Sequence, residues 1–380
     1  MGAAMIRSLA LAAVLIAAVS PGQAQTIETA AKQAYIVDAK TGAVLLDKNA
    51  DELMPPSSMS KLMTAQMLFA KLAKGEVALT DEFPVSERAW RIQGSKMFVP
   101  LGGRVKVDDL IRGIVIQSGN DACIVVAEAL AGSEEAFAEQ MTKAARELGL
   151  TKSVFKNASG WPHPEHLTTA RELAMIAKHT IETYPQFYSY YSELNFTYNG
   201  IKQGNRNPLL YKGNGADGLK TGHTEAAGYG LTGSVKRGDR RLIMVVNGLP
   251  SMRSRAQETE NLFEWAFREF ENYNLFKMGD SVQTAAVWLG DAKSVPLVAG
   301  QDLLVTLPRR ARQGMKVTAV YQEPIPAPIQ KGQQVGKLVI TAPGVETREL
   351  PLIAGESVRQ LGPVGRVGAA VSYLVFGAQK

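Results

Sequence analysis

A single cysteine, Cys123, in 380 residues excludes any disulfide within the chain, so cohesion must come from core burial. Cys123 lies in the apolar stretch Ala122 to Val126 and reads as a small buried hydrophobe, not a nucleophile. The sequence also lacks a run long enough to cross a bilayer. Its longest apolar stretch, Leu9 to Val19, falls short of the roughly 20 residues a span needs, and Pro21-Gly22 ends it. With Arg7 ahead of it and Gly22-Gln23-Ala24 behind, residues 1–24 read as a secretory signal that leaves a periplasmic protein beginning near Gln25. Charge is likewise modest, +6 with no Lys/Arg run, which fits an anionic wall or membrane surface and gives no nucleic-acid partner. With only 4 histidines, His163-Pro164-Glu165-His166 is the one tract with the look of metal ligands. Pro164 breaks the helical spacing that HExxH sites use, so no metal or other cofactor is expected.

What is present is a hydrophobic content of 46%, enough for two domains. Ala34 to Asp38 and Ala43 to Asp47 predict a hairpin about Lys40-Thr41-Gly42. Met59 to Leu72 carries Leu62, Met63, Met67, Phe69 and Leu72 at helical spacing before Gly75. Ser133 followed by Glu134 and Glu135 predicts a capped helix that stops at Gly149. Gly228 to Ser234 and Leu242 to Gly248 read as strands, and Leu262 to Phe270 as a closing helix. From about Met278, strand-like runs separated by Gly and Pro (Val282 to Val287, Leu303 to Leu307, Val317 to Tyr321, Lys337 to Thr341) predict a smaller all-β domain over 277–356. The tail, 357–380, mixes Arg366 with Val367, Val371, Tyr373 and Phe376 and suits peripheral membrane contact. Gly362, Gly365, Gly368 and Pro363 count against a stable helix there.

Two SxxK tetrads occur. Ser58-Met59-Ser60-Lys61 follows Pro55-Pro56 and opens the strongest helix, so Ser58 lies at a helix start with Lys61 one turn on, on the same face. Nucleophilic catalysis needs that arrangement: a hydroxyl, a nearby amine to take its proton, and backbone amides to stabilise developing charge. Ser153-Val154-Phe155-Lys156 runs instead into the turn Asn157-Ala158-Ser159-Gly160 and is read as coincidence. Ser118-Gly119-Asn120 is expected as an exposed connection between two helices. Of two KTG triplets, Lys40-Thr41-Gly42 fits a tight turn. Lys220-Thr221-Gly222 precedes a strand and is expected on an edge strand beside Ser58, Gly222 leaving room for a substrate backbone.

SxxK, SxN and KTG in this order resemble the penicillin-binding peptidases. The stretch Asp217 to Tyr229, with Ser118-Gly119-Asn120-Asp121 and Gly160 followed by His166 to Ala170, is closely similar to the low-molecular-mass D-Ala-D-Ala carboxypeptidases. Trp161 departs from the smaller aliphatic residue usual there, and the tail lacks the usual strongly amphipathic sequence. The resemblance implies an α/β fold, a β-lactamase/DD-peptidase-like domain over 25–276 with an antiparallel sheet flanked by helices. It also implies release of the terminal D-alanine from peptidoglycan stem peptides, and β-lactams as covalent inhibitors. Within it, Ser58 is the nucleophile and Lys61 the base, its amine neutralised by burial and by the charge of Lys220. Ser118 relays a proton to the leaving amine, while Asn120 holds the substrate amide or orients Lys61. The backbone amides of Ser58 and His223 form the oxyanion hole. Lys220, Thr221 and Arg255 grip the substrate carboxylate; Arg255 matches the family's Ser-Arg-Ala-Gln-Glu-Thr, with Arg253 close enough to substitute.

An endopeptidase would share all three motifs. A β-lactamase needs a water-activating glutamate that Pro164-Glu165-His166-Leu167-Thr168 does not supply, and a non-catalytic wall-binding protein would not need to retain both Ser58 and Lys61.

Overall fold

Alternating apolar residues from two stretches of the chain, 33–48 and 216–249, build one central sheet. In the computed structural model, which describes residues 27–343 and 345–368, the strands are Gln33–Asp38 (β1), Val44–Lys48 (β2), Ala216–Thr224 (β3), Gly228–Arg237 (β4) and Arg240–Leu249 (β5). They lie in the order β2-β1-β5-β4-β3, every pairing antiparallel, with β3 on an open edge. Side chains alternate faces along a strand, so Tyr35, Val37, Ile243 and Val245 enter one core and Ala34, Ile36, Leu242, Met244 and Val246 another. Both faces are therefore covered.

Helix Met252–Glu269 packs Leu262, Phe263 and Ala266 on the second face. It starts well before the predicted Leu262, at Ser251, whose hydroxyl accepts from Ser254 N as an N-cap. The first face carries a helical layer: Lys61–Ala73 (α1), Val107–Val115 (α2), Asn120–Ala131 (α3), Glu134–Glu147 (α4) and Ala170–Thr183 (α5). Helix α1 is buried nearly all round, Leu62, Met63, Ala65, Leu68 and Phe69 included, which marks it as the central pillar. The cap at Ser133 is present, its Oγ accepting from Ala136 N, and Gly149 takes the left-handed φ of 80° that ends α4.

The chain forms two compact units. The first is Ile27–Lys277 together with Asp302–Arg309; the second comprises residues 278–301 and 310–368. Strand Leu303–Pro308, grouped by sequence with the β domain, pairs with Phe270–Phe276 and so belongs to the first unit. Sequence texture identified the strand but held no signal for its partner. The second unit is a six-stranded sheet in the order Lys316–Tyr321, Gln334–Ala342, Val345–Ala354, Ser294–Ala299, Ser281–Trp288, Ile325–Pro326. Its buried face alternates Val295, Leu297 and Ala299 with Leu338, Ile340, Leu350 and Leu352. The signal expected over 1–24 lies outside the described residues, as does the tail beyond 368. Residues 363–368 form one helical turn exposing Val364 and Val367. Among the described residues no helix is long and apolar enough to cross a membrane.

Candidate active site

Pro55-Pro56 cannot extend a helix backwards, so α1 is entered through a tight turn, the 3-10 helix Ser57–Ser60. Ser57 holds φ at 52°, uncommon for a residue with a side chain, and Ser58 follows half-buried at the turn's open side. One turn on, Lys61 is buried with its ammonium donating to Ser58 Oγ at 3.0 Å, Asn120 Oδ1 at 2.8 Å and Ser159 O at 2.6 Å. Burial pulls its pKa down to about 8, with the positive field of Arg206 adding in the same direction.

Two of those three acceptors have no proton to give. Once Lys61 is neutral it has two hydrogens, for Asn120 Oδ1 and Ser159 O, and one lone pair, which only the Ser58 hydroxyl can use. The surroundings of Lys61 thus aim its basicity at Ser58.

Ser118 and Asn120 sit at the entry to α3. The segment joins two helices as predicted, but Ser118 and Asn120 are buried, not exposed, because the loop ahead folds over them. Asn120 Nδ2 donates to Gln93 O at 2.8 Å, which orients its Oδ1 onto Lys61; of its two suggested roles, this is the one its contacts serve here. Ser118, with φ at 61°, accepts from Lys220 Nζ at 2.9 Å. The loop over this segment is held by a residue to which the sequence gave no role. Asp121, fully buried, accepts from Met97 N, Phe98 N, Val99 N and Ala122 N at 2.8–3.2 Å, pinning the overlying loop, where Phe98 also takes a φ of 69°. A carboxylate directly after the SxN triplet was the available signal.

Edge strand β3 brings Lys220, Thr221, Gly222 and His223 alongside, as expected. The space beside Gly222 is not substrate room, however. A Cβ there would lie 2.9 Å from Pro56 O, 3.1 Å from Met59 Cγ and 3.2 Å from Ser57 Cβ, so the glycine lets the strand press against the Ser58 turn. His223 is exposed and stacks on Tyr229 at 3.9 Å. Burial pushes Lys220 well below the ordinary lysine value, and Lys61 pushes it further. Burial is the largest cause depressing both lysines, Arg206 lowers both, and the repulsion between Lys61 and Lys220 disfavours charging the two together.

Arg255 is buried on the closing helix and Arg253 is exposed. Among the described residues its only hydrogen-bond acceptor is Arg206 O, at 3.5 Å, and its Nε has none. Burial and the nearby Arg206 lower its pKa to about 10. A buried guanidinium so poorly satisfied is prepared for an anion. Arg206, donating to Ser95 Oγ at 2.6 Å, adds its field to Lys61, Lys220 and Arg255 alike; nothing in its local sequence singled it out.

The loop after α4 completes the site. Asn157 Oδ1 accepts from Gly160 N at 2.8 Å and Trp161 N at 2.9 Å, setting the turn that presents Ser159 O to Lys61. Gly160, at φ 77°, passes so close to the Ser58 turn that a Cβ would fall 1.8 Å from Ser57 O. His166 Nδ1 accepts from Lys156 N at 3.3 Å, so its other nitrogen carries the proton and donates to Ser60 Oγ at 2.8 Å. Both ring nitrogens are thereby engaged within the protein. Burial holds His166 neutral, its pKa lowered to about 4. Cys123, pushed up to about 12 by burial, is a packing thiol.

Residues 17–251 match the family described as D-alanyl-D-alanine carboxypeptidase, and residues 270–360 match the C-terminal domain of penicillin-binding protein 5. The chain is 40% identical over 354 residues to the D-alanyl-D-alanine carboxypeptidase DacC of Escherichia coli, covering 90% of this chain and 88% of that protein. Penicillin-binding protein 5 from Haemophilus influenzae superposes with a TM-score of 0.77 at 34% identity, over 89% of this chain and 100% of that one. Penicillin-binding protein D2 from Listeria monocytogenes, solved with cefotaxime bound, superposes with a TM-score of 0.59 at 29% identity, over 64% of this chain and 99% of that one.

Proposed function

Because the chain belongs to the D-alanyl-D-alanine carboxypeptidase family, we propose that it works as a serine peptidase in which Ser58 is acylated by stem peptides ending in D-Ala-D-Ala. The observation that carries this reading is the Lys61 ammonium held at 3.0 Å from Ser58 Oγ with its other two contacts limited to acceptors.

With a pKa of about 8, roughly a tenth of Lys61 is neutral at pH 7. That fraction takes the Ser58 proton as Oγ attacks the penultimate carbonyl, backbone amides on the turn and on β3 stabilising the oxyanion. The C–N bond then breaks, and the proton passes through Lys61 and Ser118 to the departing D-alanine amine. Water hydrolyses the acyl-enzyme and restores Ser58. Arg255 binds the free carboxylate with Thr221 beside it; Lys220, with its depressed pKa, serves mainly to orient Ser118. β-Lactams acylate the same serine, and because Glu165, the carboxylate of the loop beside it, is exposed and paired with Lys156 at 3.1 Å instead of being held to activate water, they act as traps. Export to the periplasm through residues 1–24 and peripheral membrane contact through 357–380 complete the proposal. Equal co-sedimentation with liposomes by the full chain and by a chain ending at Glu356 would remove that membrane contact.

The test is product analysis with a stem pentapeptide and with a cross-linked dimer. D-Alanine released from the pentapeptide by the protein but not by Ser58→Ala is the expected outcome. Cleavage of the dimer alone would make it an endopeptidase, and no Ser58-dependent product would end the catalytic reading.

A further inference from the structure

Glu134 and Glu135 open α4 side by side, and both suit the positive end of its dipole. Their surroundings differ. Glu135 is exposed, whereas Glu134 is buried. Glu134 Oε1 accepts from Ala158 N at 3.1 Å and Oε2 from Arg88 Nη2 at 2.7 Å, so both carboxylate oxygens are committed. Taking such a charge out of water is offset only by contacts of this kind.

Those two contacts lead to the two acceptors that aim Lys61 at Ser58. Ala158 is followed by Ser159, whose carbonyl accepts from Lys61 Nζ at 2.6 Å. Thr64 Oγ1 on α1 donates to Ala158 O at 2.6 Å, so Ala158 is held at both its amide and its carbonyl. Arg88 lies on the short helix Glu87–Arg91, and Gln93, two residues beyond it, offers the carbonyl that orients Asn120 onto Lys61. Glu134 therefore joins the loop after α4 to the segment lying over α3.

We infer that Glu134, clamped by Arg88, is a positioning residue for acylation: one carboxylate ties together the segments that set both oxygens holding Lys61, and it places a negative charge on that flank of the site. The inference rests on the serine-peptidase reading and deepens it.

The charge acts in a definite direction. The titratable and charged groups that face Lys61 are Asp121 and Cys123 on α3, Glu134 on α4, Lys220 on β3, Arg206 ahead of β3 and His166 in the loop after α4. Cys123 and His166 are both neutral near pH 7. The two acids, Asp121 and Glu134, favour the ammonium form of Lys61 and so oppose burial and Arg206. Removing the Glu134 charge lets Lys61 lose its proton at lower pH. Removing Arg88, which also holds Glu135 at 2.8 Å, leaves the Glu134 carboxylate less compensated and works the other way.

The experiment measures kcat/KM for D-alanine release from the stem pentapeptide, from about pH 6 to 10, for the full chain and for Glu134→Gln, Arg88→Gln and Glu135→Gln. Glutamine at 134 keeps an acceptor for Ala158 N and removes the charge, and urea unfolding certifies each variant as folded. The rise of kcat/KM with pH should move down by about half a pH unit in Glu134→Gln, move up by less in Arg88→Gln, which is exposed and screened, and stay in place in Glu135→Gln. Should Glu134→Gln fail to fold, the upward move in Arg88→Gln decides. Coincident profiles for Glu134→Gln and the unmodified protein, a loss by the same factor at every pH, or an equal shift in Glu135→Gln would overturn the inference. If the unmodified protein released no D-alanine, the carboxypeptidase reading would fail, and the rate of Ser58 acylation by benzylpenicillin over the same pH range would decide the role of Glu134.

Discussion

The tetrads Ser58–Lys61 and Ser153–Lys156 have the same spacing in the same unit and opposite environments. At the first, the lysine is buried, faces three acceptors and is pulled down to about 8; at the second, it is exposed and pairs with Glu165 at 3.1 Å. Ser58 is half-buried with a single lysine on its oxygen, whereas Ser153 Oγ is buried and donates to Glu172 while contacting Thr168 at 2.6 Å. Spacing alone makes neither hydroxyl reactive. What differs is the backbone: a 3-10 turn running into α1 puts serine and lysine on one face, while a loop sends Ser153 into the core and Lys156 to solvent.

Alanine at each serine separates these roles. Ser58→Ala should lower D-alanine release by about 10⁴-fold or more while leaving the melting temperature close to that of the parent. Ser153→Ala should do the reverse. Its loss leaves a buried carboxylate short of a donor, at a cost of about 1–3 kcal/mol in urea unfolding, with penicillin labelling intact. A catalytic defect in folded Ser153→Ala would erase the distinction.

Methionine at each lysine sharpens it through pH. Lys61 titrates near 8 in the native state against an ordinary value of 10.5, so between those values the unfolded chain binds more protons and stability climbs with pH. The climb attributable to Lys61 is about 3 kcal/mol. Lys61→Met should flatten the stability curve by about that amount between pH 8 and 10.5, and Lys156→Met should leave its shape alone. In the parent enzyme, kcat/KM should rise with pH and level off above about 8, where Lys61 is neutral. Parallel curves for Lys61→Met and the parent would mean that Lys61 is not the group burial has shifted.

How much of this was legible beforehand follows the range of the interactions. The hairpin about Lys40-Thr41-Gly42, the Ser133 cap and the edge-strand placement of Lys220 rest on local chemistry, and the sequence carries them. Asp121, Ser159 and Arg206 act across long separations, through three backbone amides, one carbonyl and a field respectively, and no periodicity reports such contacts. Gly222 shows the same limit: its residue type announced a close approach, but only the fold could show that the approaching atoms were Pro56 O and Ser57 Cβ. The pairing of Leu303–Pro308 with Phe270–Phe276 was hidden for a related reason, since strand propensity is blind to partner choice.

Arg253 and Arg255 repeat the lesson on one helix at a smaller scale. Two residues apart, they point to different sides, so one reaches solvent and the other lies under the site with its Nε unsatisfied. Burying that charge without a carboxylate is unfavourable for the free enzyme, and a substrate carboxylate relieves it. Arg255→Gln should therefore raise KM for D-Ala-D-Ala peptides by about ten- to a hundredfold while changing hydrolysis of the matching neutral ester little. Arg253→Gln should shift neither. If Arg255→Gln weakened acid and ester equally, its part would be to shape the helix, and the anion would have to be met by Arg206 and Thr221 without it.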